Sequence, residues 1–498
     1  MRHTTQPDRP GWTLVLILLA SWTLRLIDLG WASLWIDEKL VEMWRHQSPA
    51  DAYSSILSFG TEMPLHALLL RLVPVEDELT LRLPSALLGM LGVALVIAAA
   101  RNLFHDRSLA LWCGALIAAN PLHVWLSRTA RAYTLVFVLA LFATYLFLRI
   151  LAGSRSRSAW LAFTVASAAA YLAHFFCLFL PLAQAITVLR DAPRETRRRW
   201  ILAQSLAALP VALWSAQIIV LNLLSDGRFL GSHGDWLRTP TLLDLPVTLA
   251  NLTTGYDGRA GAWMWAPAVG AAGVGLWRGW VTATGKSPAS VAARHLALLA
   301  GLPIALSFVV AQSRPIYLDR YFVVALPALV ILMATGWRSL RSRLLRVTLP
   351  ALVMVTGVTV IAVDLQAGAH EKVAWRQAGL YLASAVQPGD SVLLDRSVAL
   401  DPFQHYFLRT TDDLALWAWS ESDGAFPNPL PARLWIVYPN PHTDLHRQGA
   451  LPGFDPLEPG LTPIGDWLAG QPTVSEAAAY PGVTILLIAQ PGESGTAP

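Results

Sequence analysis

The sequence predicts a polytopic α-helical membrane protein, with about eleven transmembrane helices and a C-terminal extracytoplasmic α/β domain. Three observations lead there. The 498 residues are 54% hydrophobic and only 14% charged, with 21 tryptophans, a composition no soluble globular chain of this length carries. Apolar runs of about 20 residues, the length that crosses a hydrocarbon core of about 30 Å, recur through the first 365 residues. From 366 onward the chain turns to Pro, Gly, Asp and His and supplies no such run.

In chain order the runs fall near 11–28, 83–103, 109–126, 132–151, 158–173 and 175–190, then near 200–223, 261–280, 295–312, 320–337 and 347–365. His174 marks a turn or a buried polar site within the nearly continuous run from Trp160 to Leu189. The piece Pro64–Val73 is too short to cross and is expected to lie along the membrane surface. No small-residue cleavage site follows the first run, so it reads as a retained helix. Cys113 and Cys177 sit inside apolar runs, so nothing points to a disulfide framework or a thiolate metal site, and both read as small packing residues.

Loop charge sets the orientation. With the N-terminus inside, the inner loops collect Arg101, Arg107, Arg149, Arg155 and Arg157, then the cluster from Arg190 to Arg199, and later Arg278, Lys286, Arg294 and the run Arg338 to Arg346. The opposite loops carry Asp37, Glu38, Glu62, Asp77, Glu78, Asp226 and Asp235. An odd number of spans then delivers the tail to the outer side of the cell inner membrane. The net charge of +4 is therefore a topology signal, and no basic, aromatic-interleaved surface points to nucleic acid. The domain division expected is 1–365, a transmembrane module whose outer loop 29–82 holds acids and surface helices, and 366–498, a soluble unit. Strand-like pieces at 391–395, 433–438 and 483–489 and a helical segment at 375–386 make that unit α/β.

The polar residues of the outer face form the candidate site. Asp37 and Glu38 follow the first apolar helix among three tryptophans, a position equally open to a solvated loop. Glu62, His66 and Arg71 come next; ANPLHVWLSRTARAY brings His123, Arg128, Arg131 and Tyr133; AHFF brings His174; SRPIYLDRYFVVALP brings Arg314, Tyr317, Asp319, Arg320 and Tyr321. A charge at mid-bilayer costs about 2.5–3.5 kcal/mol on insertion scales, so Arg128 and Arg131 belong at a span boundary. Helix-end anchoring is the plain explanation for each arginine. Arg128, Arg131, Arg314 and Arg320 nevertheless stand against the charge rule, and a bound anion such as a lipid phosphate gives them a reason, because a guanidinium fork matches phosphate oxygens.

Taken together, WIDE at 35–38, the E-x-P-L element at 62–65, LRLPSALLGMLGVALV, ANPLHVWLSRTARAYTL, AHFF and PIYLDRYFVVALPAL resemble the GT-C class of integral-membrane glycosyltransferases. The nearest likeness is to the bacterial branch related to protein O-mannosyltransferases and to the aminoarabinose transferases that modify lipid A. A doubled proline commonly follows the second acid in that class, whereas Glu62 is followed by Met63 and Pro64; the lysine of the aminoarabinose branch is also absent there. The resemblance implies a polyprenyl-phosphate sugar donor and transfer outside the cytoplasm to a lipid, polysaccharide or protein acceptor. It implies Asp37 as the base in an inverting reaction, with Glu38 or Glu62 orienting the acceptor or ligating a divalent ion. It implies Arg128, Arg131 and Arg320, with Tyr321, at the donor phosphate, and Tyr133, His174 and His66 as further substrate contacts. Tyrosines at a membrane interface also belong to its ordinary aromatic belt. Mg²⁺ or Mn²⁺ is the one cofactor these carboxylates leave room for, and no residue is assigned to it. Two other classes compete: a transporter, which would place ionisable groups at mid-membrane in paired halves, and a hydrolase of lipid-linked sugars using Asp37 with Glu62.

Overall fold

The computed structural model describes residues 11–60, 62–224, 239–255, 262–314, 316–366, 374–395, 400–407, 415–419, 426, 430–439, 463–471, 474–480 and 482–489. They fall into two compact units, Met1–Leu29 with Trp44–Asp364, and Gly30–Met43 with Leu365–Pro498.

The first unit is helical. Its elements are α1 (Trp12–Leu26), the end of α2 (Ile36–His46), α3 (Pro49–Phe59), α4 (Pro64–Leu70), α5 (Glu78–Phe104), α6 (Arg107–Ala118), α7 (Pro121–Ser127), α8 (Tyr133–Leu151), α9 (Arg157–Ala173), α10 (Phe179–Asp191) and α11 (Arg194–Leu224). After these come α12 (Asp244–Thr254), α13 (Ala262–Thr282), α14 (Pro288–Val310), α15 (Leu326–Arg338) and α16 (Arg343–Gln366), with 3₁₀ turns at Phe175–Leu178 and Asp319–Val324. The short surface piece is α4, and each expected apolar run falls on helical structure. Among the described residues α5, α8, α11, α14 and α16 are long and apolar enough to cross a membrane, while α1 and α15 are shorter apolar helices. This is a multi-pass membrane protein. The run at 109–126, expected as one span, is broken into α6 and α7, which bend by 60°.

Sequence explains the break. Asn120 accepts from the His123 N–H at 2.8 Å as the cap of α7, and Pro121 follows at its first position, where a missing N–H costs nothing. Other ends are capped in the same way. Asp77 and Thr80 form a capping box at the start of α5, and Asp106 caps α6 while accepting from Arg338 at 2.6 Å, tying α6 to the end of α15. Close helix approach comes from glycine: a Cβ at Gly336 would collide with the Gly275 backbone, so α13 and α15 pack backbone to backbone.

The second unit contains α17 (Trp375–Ala385), β1 (Ser391–Asp395), α18 (Leu400–Phe407), β2 (Ala415–Trp419), β3 (Arg433–Pro439), α19 (Pro463–Ala469), β4 (Val474–Tyr480) and β5 (Val483–Ala489). The sheet order is β2-β1-β3-β5-β4, parallel on its β2-β1-β3 side and antiparallel on its β3-β5-β4 side. Alternation along β3 sends Trp435 and Val437 into a core with Trp375, Leu382 and Phe403, and Leu434 and Ile436 into one with Ile464 and Leu468. The three expected strands and the helix at 375 are present. Unforeseen were β2, and β4, whose Ala-rich VSEAAAY lacks β-branched alternation.

Candidate active site

Within the first unit, one polar cluster draws on residues that lie far apart in sequence. Glu62 precedes α4, and its carboxylate accepts from the Arg131 guanidinium just before α8. Both groups are half-buried, where an ion pair is screened less than at an open surface. His66, one turn into α4, is only 7% exposed. Burial, followed by the nearby Arg131 charge, pushes its pKa down from an ordinary 6.5 to about 3, so it is a neutral hydrogen-bonding group at physiological pH.

His174 closes α9, where its Nδ1 accepts from the Phe176 N–H at 3.2 Å, and its ring sits 5.1 Å from Tyr321 and 6.1 Å from Tyr133. The Arg320 guanidinium lies over the Tyr321 ring at 6.0 Å. Thus Glu62, His66, Arg131, Tyr133, His174, Arg320 and Tyr321 form one linked group of side chains. Its aromatic walls resist water while its arginines supply positive charge.

The 3₁₀ turn bearing Arg320 is held from behind. Buried Asp319 accepts from Thr248 at 2.7 Å and from Asn251, and Thr248 also bonds the Tyr317 hydroxyl at 2.8 Å. On α12, Thr248 and Asn251 share one face, while Leu245 and Leu249 on another line an apolar cavity of about 670 Å³ with Trp277, Phe308 and Leu329. One helix therefore joins the arginine turn to an apolar slot.

Arg128 is placed differently. Its guanidinium donates to the carbonyls of Leu24, Ile27 and Asp28 (3.2 Å to the last), closing the C-terminus of α1. These bonds make it an anchor for the end of α1. Arg314 is exposed. Asp37 and Glu38 belong to the second unit, in the first turn of α2, with Asp37 half-buried and Glu38 buried.

Several polar residues escaped the sequence reading. Arg25, fully buried, donates to the carbonyls of Ser21, Ile117 and Ala118, to the hydroxyls of Ser21 and Ser127, and to His123 Nδ1 at 2.7 Å. A Cβ at Gly89 would collide with Ser127 beside it. The available signal was a lone arginine inside an apolar run, which needs internal partners. For a divalent ion the donor set is poor: among the described residues no three His, Cys, Asp or Glu side chains gather, and Glu62 is already neutralised by Arg131.

The sequence from 64 to 217 matches the family model of dolichyl-phosphate-mannose-protein mannosyltransferase. The structure is similar to that of ArnT from Cupriavidus metallidurans in the apo state, with a TM-score of 0.57 at 16% identity, covering 96% of this chain and 98% of that one. The fold is thus that of ArnT. The structure of ArnT bound to undecaprenyl phosphate is similar to the same degree, with a TM-score of 0.57 at 15% identity and coverage of 96% of this chain and 98% of that one. No curated protein matches this chain.

Proposed function

We propose that the protein is a glycosyltransferase that moves a sugar from a polyprenyl-phosphate donor to an acceptor hydroxyl on the outer face of the cytoplasmic membrane, with inversion. The observation that carries this reading is the cluster of Arg131 and Arg320 among Glu62, His174 and Tyr321, linked through α12 to an apolar slot. Guanidinium groups and an apolar cavity joined by one helix suit the two parts of a lipid phosphate, and ArnT was solved with undecaprenyl phosphate.

In the proposed reaction the Asp37 carboxylate takes the proton of the acceptor hydroxyl as that oxygen attacks the anomeric carbon. The bond from that carbon to the phosphate oxygen breaks, and polyprenyl phosphate departs with the electron pair. Arg131 and Arg320 stabilise the charge developing on phosphate, so no strong general acid is needed. Tyr133, Tyr321 and neutral His66 and His174 shape the sugar and acceptor side.

The test is sugar transfer from an undecaprenyl-phosphate donor by purified protein. Asp37→Asn is expected to lose transfer while keeping donor binding. Wild-type rates from that variant would remove Asp37 as the base.

A further inference from the structure

We infer that the C-terminal α/β domain orders the segment that presents Asp37, and that Arg376 and Tyr406 are positioning residues for Asp37. The inference rests on Asp37 being the base proposed above.

The residues between Gly30 and Trp35 carry no helix or strand, yet they lead directly into α2, whose second residue is Asp37. An irregular segment of that kind must find partners for its backbone groups outside itself. Here the domain supplies them. Arg376 Nη1 donates to the Trp31 carbonyl at 2.6 Å and Nη2 to the Gly30 carbonyl at 3.4 Å, so a single guanidinium fork spans two successive peptides. The Arg376 backbone N–H donates to Ser33 Oγ at 2.9 Å. That N–H is one of the orphan donors in the first turn of α17, whose own N-cap, Ala374, has no side chain to serve it. The strap thus caps a helix of the domain, while the domain satisfies the strap.

Tyr406 fixes the other end. The Leu34 N–H donates to its hydroxyl at 2.7 Å, three residues before Asp37 and just ahead of the first helical bonds of α2, which run from the Glu38 and Lys39 N–H groups to the Trp35 carbonyl. Leu34 is 2% exposed and Ser33 5%, so these bonds are shielded from water. The two clamps brace each other, with the Arg376 guanidinium 5.4 Å over the Tyr406 ring. Beside them Lys39 bridges Glu42 at 2.6 Å and His405 Nδ1 at 3.2 Å, holding the first turn of α2.

Every one of these bonds lies upstream of Asp37 or on its own helical turn. Where α2 begins, and so where the carboxylate is presented, is set by the domain. A shift of about 1 Å in a reacting group can cost about a hundredfold in rate.

The experiment uses the full chain in detergent with Tyr406→Phe, which removes the hydroxyl that accepts from the Leu34 N–H and keeps the ring, and Ser33→Ala, which leaves the domain's own core intact. Turnover, donor KM and hydrogen exchange of the 30–36 peptide are measured for each. In Tyr406→Phe, faster exchange of that peptide and a tenfold or greater fall in kcat are expected, with donor KM within twofold; Ser33→Ala should follow in the same direction with a smaller fall. Unchanged kcat in the two variants, or unchanged exchange, overturns the inference while Asp37→Asn remains inactive. An active Asp37→Asn variant instead overturns the base assignment on which the inference rests.

Discussion

Two arginine regions of the membrane unit use the same side chain for different ends. At the α6–α7 break, Arg25 and Arg128 direct donors to backbone carbonyls of α1 and α6, groups that helix ends leave without partners. In the candidate site, Arg131 meets a carboxylate and Arg320 lies over a phenol ring. Carbonyls fixed in helices cannot release a guanidinium without opening structure. Side-chain partners can exchange it for a phosphate. What a buried arginine bonds therefore separates scaffolding from chemistry better than its burial does.

That contrast can be broken most directly at the pair three residues apart. Arg131→Ala is expected to lower transfer by about 10²–10³-fold, the usual effect of removing one preorganised donor at developing charge, whereas Arg128→Ala should leave the folded enzyme's turnover within a few-fold. Equal losses in a purified transfer assay would erase the distinction.

Next in size, Arg25→Met should cost about 3 kcal/mol or more of stability, because it strands several buried acceptors at once, each worth about 1–3 kcal/mol. Thermal unfolding in detergent would show it, with turnover per folded molecule retained.

The smallest effect concerns His66, the neutral member of the site. Its folded pKa of about 3 lies below its ordinary 6.5, so the unfolded chain takes up a proton that the folded one refuses. Its contribution is fully present above pH 6.5 and is lost as pH falls toward 3. His66→Gln should flatten the decline of melting temperature across that window, and an unaltered slope would mean that the ring is not sealed from water.

Much of the architecture was legible in one dimension. Apolar runs, the Asp77–Thr80 cap and the strands at 391, 433 and 483 follow local rules that need no partner. The Asn120–Pro121 stop is also local, although the apolar residues around it outweigh it in any count of spans. Clustering of Glu62 with Arg131 was foreseeable only as a shared face, since nothing in RTAR says which arginine turns toward α1 and which toward Glu62. Asp319, Thr248 and Asn251 gave even less warning, being ordinary loop and helix residues until the 3₁₀ turn at Asp319–Val324 and α12 are folded together.

By itself the sequence determined the membrane class, the helices, the sheet-forming segments and the identity of the acids and arginines, because hydrophobic periodicity and capping act over a few residues. Tertiary structure alone decided which arginine faces Glu62, which serves carbonyls, and that Arg376 and Tyr406 hold the strap before Asp37. Those choices depend on residues up to 372 apart in the chain meeting at hydrogen-bond distance, and no local pattern records such a meeting.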